Sequence, residues 1–284
     1  MKKSISLGWR DCTDLEIMRV VKAAGFDGVD VDVGNDLFLN GDPRERVDEI
    51  CRVFDQVGIA CAQTHLACHP FFSPRGVIDE TVEAYIHFGL KATRQLGAKW
   101  GVYHCIQDHP DYDHMRALQD NFERVKTYLP TAEKYGTGIA LENIPRFPDC
   151  PQYDFFGSRI EDLCGLMDAL NSPYVSICWD TGHNHLNISL PDKRAAFESL
   201  AGRVSTLHVS GNFGNNDWHL CPTLGQASMD DVVPVLIKHG FRGYFNLEVN
   251  VYPQNRRMRM AYLHFCGQSA DAILSAYGVN EPKT

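Results

Sequence analysis

The feature that most limits what this chain can fold into is a recurrence. Short apolar runs of strand character return eight times, each followed by a helical pattern, about every thirty to thirty-five residues. The runs cover residues 5–9, 26–33, 59–66, 99–106, 138–144, 175–180, 204–209 and 244–249. Adjacent parallel strands need a crossover long enough to hold a helix, so this alternation specifies a parallel sheet. Eight such units in 284 residues fit a closed barrel of ~250 residues plus loop insertions. The expected class is α/β, a single (β/α)8 TIM barrel, with residues 1–284 as one domain because no linker or composition shift divides the chain. An open doubly wound sheet is the runner-up, but no glycine-rich fingerprint follows the first strand.

Local signals set the helix ends. In residues 11–25, Ile17, Val20, Val21 and Ala24 share one side, and Gly25 is the stop. Asp42-Pro43 opens the next helix and Gly58 closes it. Further helices are expected at 77–97, 113–136, 158–170, around 193–200, 230–240 and 258–277. Pro130 should kink or split the helix at 113–136. Ser158 and Glu161 have capping-box spacing. The loops His69-Pro-Phe-Phe-Ser-Pro and 145–157 are rich in proline and should be irregular.

Composition narrows the partners. The hydrophobic share of 44% suffices for a full core, and the net charge of -9 argues against nucleic acid or an anionic membrane. Most of the ten cysteines lie in apolar runs and no C-x-x-C pair occurs, which predicts free thiols in a reducing compartment. The first eight residues are basic without a long apolar stretch, and no segment is long enough to span a bilayer. A soluble cytoplasmic protein is the expectation, and a homo-oligomer is compatible with it.

The chemistry sits where the apolar runs end. Residues 175–179 are apolar apart from one serine, as suits a strand covered on both faces, and Asp180, Gly182 for a turn, and His183 follow at once. Other runs end in His65, His104, Glu142, His208 and Glu248. In a barrel, these ends form the active-site face. A single polar strand end is ordinarily a hydrogen-bonded structural residue; six on successive strands are a constellation. Glu142, Asp180, His208 and Glu248 combine one nitrogen with three carboxylates, which would repel one another without a cation. That donor set suits Zn2+ or Mn2+, with Mg2+ or Co2+ also compatible.

Three further stretches have a functional and a bland reading. Asp217 and His219, with His183, form a second metal cluster or bind substrate hydroxyls; otherwise Asp217 makes an Asx-turn in a solvated loop. Cys68, His69, Phe71 and Phe72 close one side of the pocket, although loop packing is the simpler account of the two phenylalanines. Arg256, Arg257 and Arg259 open the last helix near where barrels bind phosphate, but a solvated helix end is the simpler reading.

The pieces Ala140-Leu-Glu-Asn143, Trp179-Asp-Thr-Gly-His183, Leu207-His-Val-Ser210, Asp217-x-His219-x-x-Pro222-x-x-Gly225 and Asn246-Leu-Glu248 resemble the xylose isomerase-like barrel superfamily. That group holds sugar isomerases and epimerases, inosose dehydratases and endonuclease IV. The resemblance implies that Glu142, Asp180, His208 and Glu248 hold a metal, that the two glutamates act as acid and base, and that His183 contacts substrate. It departs from the ketose 3-epimerases after strand seven, where they carry an arginine and this chain has Asp217-Trp218-His219. His65, His104, His183, Asp217 and His219 also have counterparts in the three-zinc set of endonuclease IV, and so are further ligand candidates.

These readings together predict a metal-dependent isomerase or epimerase of a small polyhydroxy carbonyl compound. The metal would stabilise an enediolate while Glu142 and Glu248 move the proton. His65, His104, His183 and His219 would contact substrate, and Trp9 or Phe72 would shield the site. An inosose-type dehydratase and a zinc phosphodiesterase acting at abasic DNA are the alternatives; a non-catalytic sugar-binding barrel ranks last.

Overall fold

The computed structural model describes residues 1–39, 41–69, 79–106, 113–149, 154–251 and 255–279. Phe71 and Phe72 lie outside them. Strands β1 (Lys2–Gly8), β2 (Gly28–Asp32), β3 (Ala60–His65), β4 (Trp100–Tyr103), β5 (Gly138–Glu142), β6 (Val175–Asp180), β7 (Val204–His208) and β8 (Tyr244–Leu247) form one parallel sheet. Neighbours follow chain order from β1 to β7, and β8 returns to pair with β1. The ring closes between β7 and β8, where the Val209 N–H donates to the Asn246 carbonyl at 2.8 Å and the Glu248 N–H donates to the Val209 carbonyl at 3.1 Å. The architecture is a (β/α)8 TIM barrel.

Helices α1 (Trp9–Cys12), α2 (Leu15–Ala23), α3 (Pro43–Val57), α4 (Glu80–Gln95), α5 (His114–Tyr135), α6 (Ile160–Leu170), α7 (Thr181–Leu186), α8 (Lys193–Leu200), α9 (Val233–Lys238) and α10 (Arg256–Ala276) connect the strands. Several differ from expectation for identifiable reasons. The helix expected at 11–25 is two, because the Asp14 side chain accepts from the Glu16 and Ile17 N–H groups and starts a new one. Pro130 does not split α5. Pro130 and Lys126 are both exposed, so water can take the carbonyl left without a donor, while buried Val125, Tyr128 and Ala132 hold the helix on either side. Ser158 does not cap α6. Its hydroxyl donates to Asp154, Arg159 is the N-cap, and Asp162 reaches back to the Gly157 N–H at 2.9 Å. The helix expected at 230–240 shortens to α9, with Pro234 in its first turn, where the missing N–H costs little.

Side chains alternate across each strand. The outward row, including Ile5, Val29, Leu141, Trp179, Leu207 and Phe245, packs under the helices in the main core. The inward row is divided. Val102, Ala140 and Cys178, with Trp100, make a small apolar plug. Opposite them Ser4, Ser6, Asp30, Gln63 and Asn246 hydrogen-bond across the barrel. The next inward positions are the strand ends. All nine cysteines among the described residues are free, and no helix among them is long and apolar enough to cross a membrane.

Candidate metal centre at the barrel mouth

His65, Glu142, Asp180 and His208 are the last residues of their strands, and His104 and Glu248 follow β4 and β8 by one. One ligand atom from each of Glu142, Asp180, His208 and Glu248 lies within 4.8 Å of the others. His208 Nδ1 is 2.8 Å from Glu142 Oε1 and 3.2 Å from Glu248 Oε2. Asp180 Oδ2 is buried without a partner, and Glu248 Oε2, buried as well, makes no well-aligned hydrogen bond although His208 Nδ1 and His219 Nδ1 lie 3.2 and 3.4 Å from it. An orphaned buried acceptor costs about 1–3 kcal/mol, and a divalent cation would satisfy both. The residues present therefore fit a metal.

Two more groups adjoin this one. His104 Nε2 lies 2.8 Å from Glu142 Oε2, and His65 Nε2 lies 3.7 Å from the same oxygen. On the other side, Asp217 Oδ2 sits between His183 Nε2 at 3.1 Å and His219 Nε2 at 2.9 Å. Asp217 thus turns to the imidazoles, and its Oδ1 has no partner, so it makes no Asx-turn. Glu142 and Glu248 link the groups, since His219 Nδ1 is 3.4 Å from Glu248 Oε2.

The backbone beneath is fixed locally. Asn143 clips the Asp180 peptide, accepting from its N–H at 2.6 Å and donating to its carbonyl at 3.0 Å. Asp180 Oδ1 accepts from the His183 N–H at 2.5 Å and caps α7. Gly182 lies inside α7 and makes no turn. A Cβ there would come within 2.3 Å of Ser210 Oγ, so close approach is what requires glycine. His219 adopts φ 44°, a left-handed conformation rare for a side-chain residue; its carbonyl accepts from the Asn250 N–H at 2.8 Å.

Burial and charge pull the site's protons in opposite directions. Burial would raise Glu142, but His208 and His104 outweigh it and hold the carboxyl well below its ordinary range. Burial pushes Asp180 up to about 7, with His183 only partly offsetting it. Burial would lower His183 and His208, yet the surrounding anions, chiefly Asp180 and Asp217 for His183, hold both well above the ordinary imidazole value. His65 and His219 rise to about 9, against desolvation, through Glu142 and Asp217 respectively. Burial lowers His104. The imidazoles keep protons in the places where the carboxylates demand positive charge.

A cavity of about 500 Å³ opens here, lined by Ser6, Asp30, Asp32, Asp36, His65, His219 and Glu248 among others. A smaller one of about 240 Å³ is lined by His104, Glu142, Phe147, His183, Asp217, His219 and Glu248, with Pro145. His219 and Glu248 belong to both. Trp9 is not among the described lining residues; its ring lies under the Arg46 guanidinium, 4.0 Å from the centroid. Cys68 lines the larger cavity, but His69 Nε2 turns to Glu83 Oε1 at 2.8 Å. Arg256 pairs with Asp14 and Glu16, and Arg259 with Asp11, which ties α10 to α1 and α2. Sequence reasoning missed Asp30, Asp32, Asn143 and Phe147. The alternating F-D-G-V-D-V-D-V was the available signal for the two aspartates.

Residues 18–264 match the model of the family described as Xylose isomerase-like TIM barrel. An uncharacterized protein of Methanocaldococcus jannaschii, MJ1311, is 25% identical over 131 residues, 46% of this chain and 43% of that one. The chain thus spans about half the length, or less, of the curated relatives it matches. Among solved structures, D-psicose 3-epimerase with D-tagatose from Clostridium cellulolyticum H10 aligns with a TM-score of 0.73 at 14% identity, covering 96% of this chain and 99% of that one. IOLI protein with a binding zinc atom aligns with a TM-score of 0.71 at 17% identity, covering 98% and 99%. At these identities the structural likeness establishes the barrel.

Proposed function

The chain belongs to the xylose isomerase-like TIM barrel family, and from that premise we propose that it is a metal-dependent isomerase or epimerase of a small sugar or sugar-like polyhydroxy carbonyl compound. The observation that carries the reading is the meeting of four donors, Asp180 among them with a buried and unpartnered carboxylate oxygen, between two cavities that share His219 and Glu248. Glu142, Asp180, His208 and Glu248 would hold the ion. A divalent ion held there supplies Lewis-acid polarisation of a carbonyl and its neighbouring hydroxyl, which acidifies the intervening C–H.

The protein's own groups then move the proton. Glu248, partly exposed and shared by both cavities, takes it from the carbon. Glu142, fully buried and held as a carboxylate, returns one from the other side after taking it at Oε2 from the adjoining His65–His104 pair, 3.7 and 2.8 Å away; the pair is reprotonated as Glu248 gives its proton up to solvent. His183, whose Nδ1 is held by the Asn143 carbonyl at 2.7 Å, and His219 would each exchange the Nε2 contact with Asp217 for a substrate hydroxyl, and His65 borders the larger cavity in the same role. Phe147 keeps water from the smaller one. The D-tagatose of the psicose 3-epimerase structure makes that ketose the first substrate to try.

Glu248→Gln should abolish exchange of the substrate's α-proton with deuterated solvent, followed by NMR, in protein whose folding and metal content match the wild type. Retained exchange removes Glu248 from this role. A dehydratase would instead show loss of water from the product. One observation favours a second reading, a zinc phosphodiesterase: beside the quartet, His65, His104 and Glu142 and, apart from these, His183, Asp217 and His219 form further sets each able to take an ion. Elemental analysis distinguishes the two. Near one equivalent of metal supports sugar chemistry, whereas near three of zinc with nicking of abasic duplex supports phosphodiester cleavage.

A further inference from the structure

The proposed reaction uses the strand ends and gives no part to Asp30. This carboxylate sits in the middle of β2, fully buried, one inward position below the mouth. Barrel interiors are ordinarily packed with branched apolar side chains, and burying a charge is costly unless it is paired. The pairing here is specific. Asp30 Oδ2 lies 3.2 Å from His208 Nε2. The same oxygen accepts from Ser6 Oγ at 2.8 Å, Asn246 Nδ2 at 3.2 Å and Gln63 Nε2 at 3.4 Å. The other nitrogen of His208 faces Glu142 and Glu248 at 2.8 and 3.2 Å.

A neutral imidazole has one N–H, and its place depends on which nitrogen meets an acceptor. Against Asp30, the proton belongs on Nε2. Nδ1 then presents its lone pair to the space among Glu142, Asp180 and Glu248. Without a cation either tautomer leaves a lone pair against a carboxylate, Nε2 against Asp30 at 3.2 Å or Nδ1 against Glu142 at 2.8 Å; a cation among Glu142, Asp180 and Glu248 removes the second conflict and leaves the first, which only a proton on Nε2 relieves. The three neutral donors hold the carboxylate still, so ring angle and tautomer are set together. A carboxylate on the far nitrogen of a ligating histidine raises its basicity and fixes its direction.

We propose that Asp30 is a positioning residue that fixes the Nε2–H tautomer and orientation of His208 and so makes Nδ1 a metal donor. The inference rests on the metal-dependent reading above, but its test needs no sugar. Asp30→Asn keeps the shape and an acceptor oxygen while removing the charge. Zinc affinity, measured by competition with a chromophoric chelator, should weaken by about 10- to 100-fold. Ser6→Ala removes a donor from the same oxygen without touching the His208 contact, so its loss should be smaller. In the zinc-loaded wild type, imidazole nitrogen NMR should show His208 protonated at Nε2 and ligated at Nδ1.

Zinc on Nε2 would overturn the proposal even if the Asn variant failed to fold. So would an Asn variant with wild-type affinity, or a Ser6→Ala loss equal to it. A wild type that binds no zinc would overturn both this proposal and the metal-dependent reading. Retained proton exchange in Glu248→Gln would strike the reaction alone.

Discussion

Gly182 is under two opposing pressures that magnitudes can rank. In a helix interior, alanine is favoured over glycine by about 1 kcal/mol. A Cβ at 182, however, would lie 2.3 Å from Ser210 Oγ, 3.2 Å from Asp180 Oδ1 and 3.3 Å from Asn212 Nδ2. Overpacking of that kind costs about 1–3 kcal/mol, and Ser210 is itself fully buried. Gly182→Ala should therefore be net destabilising, seen as a lower urea midpoint at unchanged slope. It should also weaken metal binding by crowding Asp180. A stabilised variant would mean that Ser210 swings away freely. The same scale explains what could be read in advance. His65, Glu142, Asp180 and His208 end apolar runs, and a polar residue there stands out against period-two alternation. Asp30 and Asp32 do not stand out, because their strand alternates as well as any half-exposed strand whose aspartates face water. Only ring closure turns that face inward. The stacking of Trp9 on Arg46, thirty-seven positions away, was not legible either, because nothing local records it.

Elements were legible where their own residues decide them. Asp42 caps α3 and Gly58 ends it in the left-handed conformation, and both features lie in the sequence. Where partners far along the chain decide, local reading failed: α5 runs through Pro130 because its buried side packs on neighbouring elements. Glu83 shows how such packing is fixed. Its carboxylate on α4 meets Arg124 Nη1 at 3.1 Å and the Tyr128 hydroxyl at 2.7 Å on α5, and His69 after β3 at 2.8 Å. Burial would raise its pKa, but His69, Tyr128 and Arg124 outweigh it and hold it below the ordinary value. A depressed folded pKa contributes stability that is complete above the unfolded value, about 4.3, and is lost as pH falls through the folded one. Wild-type stability should thus fall more steeply below that pH than that of Glu83→Gln. Parallel acid-denaturation curves would show that the three contacts contribute nothing to it.

For the whole molecule, the eightfold recurrence was enough to predict the barrel, because a closed ring of parallel units leaves few ways to arrange strands and helices. It also brings together charges that are distant in the chain. Glu142, Asp180, Glu248 and Asp217 all meet at one mouth of a protein with net charge -9. The protons on His183 and His208 relieve part of that repulsion, and a divalent cation relieves more. A ligand bound only by the folded state stabilises it by about 2.7 kcal/mol at a hundred times its Kd. For a chain of this size, that is roughly 5–10 °C in melting temperature. Zinc or manganese should therefore raise the melting temperature and a chelator should lower it, with Asp180→Asn losing most of the difference. The sign of the pH effect follows from the imidazoles. Their pKa values are raised in the empty site, so metal must displace protons to reach the nitrogens, and its apparent affinity falls as pH drops. The thermal shift at fixed metal concentration should be larger at pH 8 than at pH 6. A shift independent of pH and untouched by Asp180→Asn would mean that the ion binds elsewhere, and that protons alone hold these carboxylates together.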